Sequence, residues 1–281
     1  MKTWPALDIQ QADDLVHAFL IDFNLAAIDE SRFFFHDDAD RDRAATALRA
    51  SFPGIDAQPV DVPDEDWAAR SQAALRAIRV GNLTVAPPWD AEGVGAGFSR
   101  PIVIQPSMGF GTGHHATTRL CLAALQTVDI LGCSMLDVGT GSGVLAIAAA
   151  VLGAAGALGI DCDGDAIQSA RENLLLNPGA GTVSFAVIDL AAAPLPIADV
   201  VTANLTGALL VRSAGRLLDA LRPGGTLIVS GILAHERDEV VSAFAPAAIV
   251  WEQEEDGWVG LAVKKSWQST GDATFGSNRT R

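Results

Sequence analysis

The chain has 281 residues, of which 49% are hydrophobic and 19% charged, and its formal net charge is −15 at pH 7. A chain of this length and composition can bury one large or two modest globular cores, which excludes a fibre and a wholly disordered protein. Because an acidic surface repels phosphate backbones, we expect no direct nucleic-acid binding, and a basic protein is the more compatible partner.

The cysteines and the N-terminus indicate the compartment. Cys121, Cys133 and Cys162 are far apart in the sequence and form no C-x-x-C pair. The first residues lack the basic and then apolar pattern of a secretory signal, and no run reaches the roughly 18 uncharged apolar residues of a membrane span. We therefore expect a reduced, cytoplasmic protein without a membrane segment.

Residues 1–66 are predicted to form a small α+β unit that carries much of the negative charge. They contain five basic and fifteen acidic residues, a net charge of −10. Leu15, Phe19 and Phe23 recur at i and i+4, as one buried face of a helix requires. The predicted elements are, in chain order, a strand at 4–9, a helix at 12–23, a strand at 32–36, a helix at 41–51 and a strand at 58–62.

Residues 67–100 are predicted to connect this unit to a larger domain at 101–265. A helix is expected over 64–78 with Asp64 as its cap, followed by a strand at 83–85 and a turn-rich stretch at 87–97. Residues 266–281 are polar and lack periodicity, so we expect a disordered tail.

From Ile102 on, short apolar strands alternate with helices. This alternation indicates a mostly parallel sheet covered on both faces, with the ligand at the carboxyl ends of the strands. The predicted strands are 134–138, 157–160, 183–188, 200–203, 226–230, 249–253 and 258–263, and the predicted helices are one that begins near 119 and those at 143–152, 165–176, 207–221 and 234–244.

The strongest motif is a glycine-rich turn at 136–143, L-D-V-G-T-G-S-G, between a predicted strand and a predicted helix. A dinucleotide fingerprint requires G-x-G-x-x-G, but Val144 stands where the third glycine would be. Asp161 ends the next predicted strand, where a carboxylate can accept hydrogen bonds from both hydroxyls of a ribose. These features indicate a nucleoside ligand with a charged tail and no pyrophosphate, and the alternative is a turn that packs a helix on the sheet without a ligand.

This combination resembles the S-adenosylmethionine-dependent methyltransferases of class I. The resemblance implies an α/β fold with a doubly wound, mostly parallel, Rossmann-like sheet of seven strands, and S-adenosylmethionine as the cofactor. It implies a cofactor-binding loop of Gly139, Gly141 and Gly143, in which the first two glycines approach the amino-acid portion of the cofactor.

The same resemblance assigns three carboxylates to the cofactor site. Asp161 is expected to hold the ribose, and Asp189 is expected either to lie near the adenine or to have no ligand role. Asp137 is expected either to lie close to the ammonium group of the cofactor or to order the loop.

Residues 106–118 contain F-G-T-G-x-H-x-T-T directly before a predicted helix, and this segment resembles the signature of the PrmA family, methyltransferases of large-subunit ribosomal protein eleven. The resemblance covers about 200 residues and includes the segments 66–67, 88–89, 137–143, 204–205, 221–225 and 230–233. It implies transfer of methyl groups to lysine or N-terminal amines of a basic ribosomal protein, which the acidic N-terminal domain recognises.

By the same analogy, Thr112 hydrogen-bonds the methionyl end of the cofactor, while Phe110 and Gly111 close the site. Asn204 follows a predicted strand, contacts the cofactor and accepts a hydrogen bond from the acceptor amine, so it is the candidate catalytic residue. The alternative is an asparagine that only ends a strand in a turn.

The histidine pair at 114–115 has a less specific role. His115 is expected either to orient or cap the loop or to take part in catalysis, and His114 to be a solvated neighbour. No third ligand is spaced nearby, so we expect no metal site.

Three alternative functions follow from the same residues. The first is a class I methyltransferase that acts on another protein lysine or on a small molecule. The second is a nicotinamide oxidoreductase, which Val144 argues against. The third is a protein that binds the cofactor without catalysing transfer.

Overall fold

The structure is a computed structural model that describes residues 3–9, 16, 19–20, 23–29, 31–63, 75–91, 101–106, 114–192 and 194–265. The chain forms two compact units that divide between Ala74 and Leu75. The described part of the predicted connector, residues 75–91, therefore belongs to the second unit. The predicted tail at 266–281 lies outside the described residues.

The first unit is a four-stranded antiparallel sheet with one described helix packed on it. The strands are β1 (Thr3–Ile9), β2 (Leu25–Asp29), β3 (Arg32–Phe35) and β4 (Ala57–Pro63), in the order β2-β3-β1-β4, and the helix is α1 (Asp38–Ser51). Leu7, Phe33, Phe35 and Leu48 form its core. The prediction of an α+β unit is confirmed here, and the predicted helix at 12–23 falls mostly outside the described residues.

Two differences from the predicted elements have local causes. The strand β2 was not predicted because its sequence, L-A-A-I-D, is short and contains two alanines, which favour strands weakly. The helix α1 begins at Asp38 rather than at Arg41, because Asp37 caps it by accepting a hydrogen bond from the backbone N–H of Asp40 at 2.8 Å.

The second unit begins with a small three-stranded sheet. Its strands are β5 (Ile78–Val80), β6 (Leu83–Ala86) and β7 (Ile102–Val103), with β5 and β6 antiparallel and β6 and β7 parallel. The predicted helix over 64–78 is wrong at its end, since Ile78 pairs with Val85 across a turn at Gly81, and its residues 64–74 lie outside the described part. At this end of the segment, strand pairing across the two-residue turn Gly81-Asn82 replaces the helix that the sequence pattern predicted.

The main sheet has seven strands in the order β10-β9-β8-β11-β12-β14-β13. The first five are parallel, β14 runs antiparallel to β12, and β13 runs antiparallel to β14 and so in the direction of the first five. This arrangement confirms the predicted doubly wound, mostly parallel fold. The strands are β8 (Ser134–Val138), β9 (Gly156–Asp161), β10 (Val183–Val187), β11 (Ala198–Asn204), β12 (Leu221–Leu233), β13 (Ala248–Glu255) and β14 (Trp258–Lys264).

Helices cover both faces of this sheet. Alternate residues of one strand enter different cores: Val200 packs with α2–α4, whereas Val201 packs with α5 and α6. In the part of the chain that the structure describes, no helix combines the length and apolarity needed to cross a bilayer. The helices are α2 (Ala116–Leu125), α3 (Val144–Val151), α4 (Gly164–Leu175), α5 (Gly207–Asp219), the 3-10 turn Ala234–Glu236 and α6 (Arg237–Ala243).

The strand order reverses between β8 and β11. The chain runs outward from β8 to β9 and β10, then returns to β11 on the other side of β8. In open parallel sheets such a reversal leaves a crevice at the carboxyl ends of the two central strands. The glycine-rich turn follows β8 and Asn204 ends β11, so both predicted motifs border this crevice.

Candidate active site

A cavity of about 1090 Å³ lies at the carboxyl ends of β8, β9, β10 and β11. This volume is slightly above the usual range for small-molecule sites, roughly 300–1,000 Å³, and leaves room for part of an acceptor beside a cofactor. Five residues predicted from the sequence line it, namely Gly139, Gly141, Asp161, Asp189 and Asn204. His115, whose catalytic role was left open, also lines it. Residues that were not assigned to the cofactor or to catalysis line it as well, among them Thr117, Thr118, Cys162, Ile188, Leu190, Leu205 and Trp258.

The glycine-rich turn brings its backbone to the cavity wall. Gly139 has a φ of +71°, and a Cβ there would lie 2.6 Å from Leu205 Cδ2, so this position requires glycine. Gly143 is the N-cap residue of α3, and a Cβ there would lie 2.7 Å from Phe185 Cζ. Gly143 therefore lets α3 pack closely on the sheet, and it is not among the residues that line the cavity.

Asp137 lies buried beneath the turn, with 1% of its surface exposed. Its Oδ2 accepts a hydrogen bond from Thr140 Oγ1 at 2.6 Å, and its Oδ1 accepts one from Thr202 Oγ1 at 2.5 Å. Burial, with a smaller contribution from the nearby charge of Asp161, raises the pKa of this carboxyl to about 6 against the opposing effect of the two hydroxyl donors. The contacts of Asp137 correspond to the expectation that it orders the loop.

Asp161 joins the end of β9 to the turn. Its Oδ2 accepts a hydrogen bond from the backbone N–H of Gly141, and its Oδ1 accepts one from that of Asp163, both at 3.1 Å. Because these two backbone N–H groups fix the carboxylate at the cavity wall, it can receive hydroxyl donors from a ligand without a change of rotamer.

Asp189 is exposed and follows β10. Its Oδ1 accepts a hydrogen bond from the backbone N–H of Ala191 at 2.8 Å. Its neighbours Ile188 and Leu190 line the cavity with it. The three residues together offer apolar contact area beside one carboxylate, which suits a flat heterocycle with exocyclic N–H groups.

Asn204 lies at the opposite end of the cavity from β9 and β10. Its Nδ2 donates a hydrogen bond to Thr118 Oγ1 at 3.4 Å, and Thr118 is buried in the first turn of α2. Within the described ranges no group donates to Asn204 Oδ1. The amide therefore has its N–H end held by α2 and a carbonyl oxygen that can accept a hydrogen bond from a ligand.

His115 is the N-cap residue of α2 and so joins the preceding loop to the helix, while the choice between an orienting and a catalytic role stays a prediction. Its Nδ1 accepts a hydrogen bond from the backbone N–H of Thr117 at 3.4 Å and lies 2.8 Å from Thr117 Oγ1. His114 is half-buried, and its Nε2 lies 2.7 Å from the carbonyl oxygen of Arg76 in an exposed contact, so its expected place as a solvated neighbour stays a prediction.

The remaining predicted residues, Phe110, Gly111 and Thr112, lie outside the described residues. No group of three His, Cys, Asp or Glu side chains arranged to hold a metal ion occurs in the described part of the chain.

Residues 26–266 match the family described as ribosomal protein L11 methyltransferase (PrmA). The chain belongs to this family. A ribosomal protein L11 methyltransferase of Symbiobacterium thermophilum is 40% identical over 207 residues, which are 73% of this chain and 67% of the relative. That of Pelobacter propionicus is 34% identical over 272 residues, 89% of this chain and 87% of the relative.

A solved structure gives the same family. The crystal structure of the ribosomal protein L11 methylase of Lactobacillus delbrueckii subsp. bulgaricus superposes with a TM-score of 0.61 and 28% sequence identity. The match covers 68% of this chain and 98% of that chain. The protein is accordingly an S-adenosylmethionine-dependent methyltransferase that acts on protein, as the resemblance predicted.

The cavity of this PrmA family member fits the cofactor. The backbone of the glycine turn, the fixed Asp161 carboxylate and the apolar pair Ile188 and Leu190 follow three successive strands of the sheet. They match, in order, an amino-acid group, a ribose and a base. These three groups leave no role for a pyrophosphate, in agreement with Val144 at the position where a dinucleotide fingerprint has its third glycine.

Thr118 and Trp258 are the residues that sequence reasoning missed. Thr118 reaches Asn204 across 86 positions of sequence, and the paired threonines at 117–118 were considered only as part of the motif at 106–118. Trp258 opens β14 and contacts His115, with ring centroids 5.1 Å apart. The only local signal for Trp258 is an aromatic residue directly after the turn Asp256-Gly257, which is common in hairpins of any function.

Proposed function

We propose that this protein methylates ribosomal protein L11 on lysine ε-amines or the N-terminal amine. One observation carries the proposal: a single cavity contains a wall suited to an adenosyl group at β8–β10 and, at β11, the amide of Asn204. Membership of the L11 methyltransferase family supports the choice of acceptor.

On the cofactor side, the backbone of Gly139 and Gly141 takes the amino-acid portion and Asp161 takes the ribose hydroxyls. Asp189, between Ile188 and Leu190, faces the adenine. Gly143 and Asp137 contribute indirectly, since Gly143 lets α3 pack against the sheet and Asp137 fixes Thr140 of the turn. Contributions of Phe110, Gly111 and Thr112 remain predictions from the family resemblance.

On the acceptor side, Asn204 Oδ1 accepts a hydrogen bond from the amine N–H and directs the nitrogen lone pair into the cavity. Bound S-adenosylmethionine supplies an electrophilic methyl group on a positively charged sulfur. A lysine amine with an ordinary pKa of about 10.4 costs about 4.6 kcal/mol to hold neutral at pH 7. Enclosure beside Trp258 and Leu205 lowers that cost, because burial disfavours the ammonium form.

The acidic N-terminal unit is the proposed docking surface for the basic substrate. Asp38, Asp42 and Asp61 surround the guanidinium of Arg41, and their side chains are 74%, 65% and 61% exposed. One arginine neutralises only part of this group, so a negative potential extends into solvent. Since ribosomal proteins are made in the cytoplasm, we place the reaction there.

The decisive experiment is incubation of the protein with methyl-labelled S-adenosylmethionine and purified ribosomal protein L11, followed by mass spectrometry of L11 peptides. We expect label on L11 amines and a labelling rate about 100-fold lower after Asn204→Ala. A mixture of all ribosomal proteins serves as the competing substrate. Label on a different protein, or on none while S-adenosylhomocysteine still binds, would refute the proposed acceptor.

A further inference from the structure

Arg119 joins two segments that border the acceptor end of the cavity. Its guanidinium, in the first turn of α2, has three acceptors. Nε donates to Glu255 Oε1 at 2.7 Å and Nη2 to Asp256 Oδ2 at 3.1 Å. Nη1 donates to the carbonyl oxygen of His114. One planar group thus holds the residue before the cap of α2 and the turn between β13 and β14.

The two held segments carry the aromatic pair that lines this end of the cavity. His115 directly follows His114, and Trp258 pairs with Glu255 across the β13–β14 turn. The rings of His115 and Trp258 meet edge to face at an interplanar angle of 68°. The distance between the two rings therefore depends on where the backbones at His115 and Trp258 lie.

We propose that Arg119 is a positioning residue for the acceptor. By fixing both backbones it sets the spacing of His115 and Trp258, and so the shape of the cavity where the amine approaches Asn204. This inference rests on the proposed function, which places the acceptor beside Asn204.

Sheet order separates this effect from cofactor binding. The proposed cofactor residues follow β8, β9 and β10, whereas Arg119 holds the turn between β13 and β14 at the other end of the sheet. Partly exposed ion pairs contribute little to folding stability, and the Arg119 side chain is 24% exposed. We therefore expect loss of Arg119 to weaken acceptor use without weakening cofactor binding or greatly lowering the melting temperature.

Charge offers a competing explanation, since Glu255 and Asp256 could attract a basic substrate directly. Two substitutions separate geometry from charge. Glu255→Gln removes the charge but keeps an oxygen that accepts from Arg119 Nε, whereas Glu255→Ala removes both. Positioning requires that Glu255→Gln resemble the wild type and that Glu255→Ala resemble Arg119→Ala.

The experiment measures KM and kcat for ribosomal protein L11, and the dissociation constant of S-adenosylhomocysteine by calorimetry. Arg237→Ala is the matched control, because Arg237 makes two 2.8 Å bonds to Glu252 of the same strand β13 and neither residue lines the cavity. Arg119→Ala is expected to raise KM for L11 about tenfold with the cofactor constant unchanged. Arg237→Ala is expected to change neither.

Three results would overturn the inference: a wild-type KM in Arg119→Ala, an equal loss of cofactor affinity, or equal effects of Glu255→Gln and Glu255→Ala. Amide hydrogen exchange supplies a readout that does not depend on the acceptor. Arg119→Ala should accelerate exchange at both 114–118 and 255–259, and Arg237→Ala at neither. If the wild type leaves L11 unmethylated, the proposed function fails, and unchanged exchange would independently reject the role of Arg119.

Discussion

Thr202 Oγ1 donates a hydrogen bond to Asp137 Oδ1 at 2.5 Å, which joins β11 to β8 two residues before Asn204. The other oxygen of the same carboxylate holds Thr140 in the glycine-rich turn. A single buried carboxylate therefore links the turn proposed to bind the cofactor with the strand proposed to hold the acceptor. A change in its protonation state affects both.

The first prediction concerns the pH dependence of stability. The Asp137 carboxyl has an ordinary pKa of 3.8 that burial raises to about 6 in the folded protein. Between these values the folded state binds more protons than the unfolded state, so the free energy of unfolding falls as pH rises through this window, by about 3 kcal/mol. Asp137→Asn removes this fall, which urea unfolding at pH 4, 5, 6 and 7 would measure.

Asp199 provides a control of opposite sign. Hydrogen bonds from Ser134 lower the pKa of the Asp199 carboxyl, and Arg222 lowers it further. Its contribution to stability is present at neutral pH and is lost as pH falls through the folded pKa. Asp199→Asn should therefore flatten the acid side of the profile, whereas profiles of Asp137→Asn and the wild type that run parallel would contradict the role given to Asp137.

The second prediction separates catalysis from cofactor binding. Asn204→Ala should lower kcat about 100-fold with little change in affinity for S-adenosylhomocysteine, since the lost oxygen contacts the acceptor. Asp161→Ala should weaken S-adenosylhomocysteine binding about 10- to 100-fold, because hydrogen bonds to a carboxylate contribute about 1.5–3 kcal/mol. Single-turnover kinetics and calorimetry would test both. Equal losses of cofactor affinity in the two variants would remove Asn204 from its proposed role.

The third prediction concerns the glycine-rich turn. Gly139→Ala should destabilise the fold by about 1–2 kcal/mol, because φ at 139 is +71° and the new Cβ would meet Leu205. Gly215 is the matched control: it is exposed within α5, and a Cβ added there would meet no atom within 4 Å. Gly215→Ala should stabilise by about 0.5–1 kcal/mol. Thermal unfolding would measure the change in stability of each variant. Destabilisation by both variants would contradict the special requirement for glycine at 139.

Local patterns in the sequence predicted most of the fold. Six strands of the main sheet were predicted to within two residues because they are short and bounded by turns, whereas the strand predicted at 226–230 is the longer β12, Leu221–Leu233. The glycine-rich turn predicted the ligand at the carboxyl ends of the strands. Strand β5 was not predicted, because it pairs with β6, which lies beyond the segment 64–78 that was interpreted as a helix. Periodicity reports on a single segment, so it could not reveal this pairing.

Long-range contacts explain the gaps in the predicted site. The hydrogen bond between Thr118 and Asn204 joins residues 86 positions apart, and the contact of His115 with Trp258 joins residues still farther apart. For Asp137, the sequence left two roles open, because its hydrogen bond to Thr202, 65 positions away, is not part of the local motif. Motifs therefore indicated the chemistry of the site, whereas packing determined which neighbouring residues complete it.

The fourth prediction tests docking by the acidic N-terminal unit. The combined substitutions Asp38→Asn, Asp42→Asn and Asp61→Asn should raise KM for ribosomal protein L11 about tenfold at low salt, because electrostatic attraction is lost. At about 1 M salt the difference should vanish, since screening acts within about 3 Å. A matched variant of the second unit, Asp238→Asn with Glu239→Gln and Glu254→Gln, changes the net charge equally. Equal effects of the two variants would show that net charge, rather than this surface, determines KM.

The fifth prediction uses the three free cysteines as probes of the cavity. Cys162 is exposed and lines the cavity, whereas Cys133 is half-buried and does not line it. Cys121 is buried, and burial raises the pKa of its thiol, so it should not react. Iodoacetamide should therefore label Cys162 first, and S-adenosylhomocysteine at about ten times its dissociation constant should slow that labelling about tenfold while leaving Cys133 unaffected. Peptide mass spectrometry measures both rates, and protection of neither cysteine or of both equally would contradict cofactor binding beside Asp161.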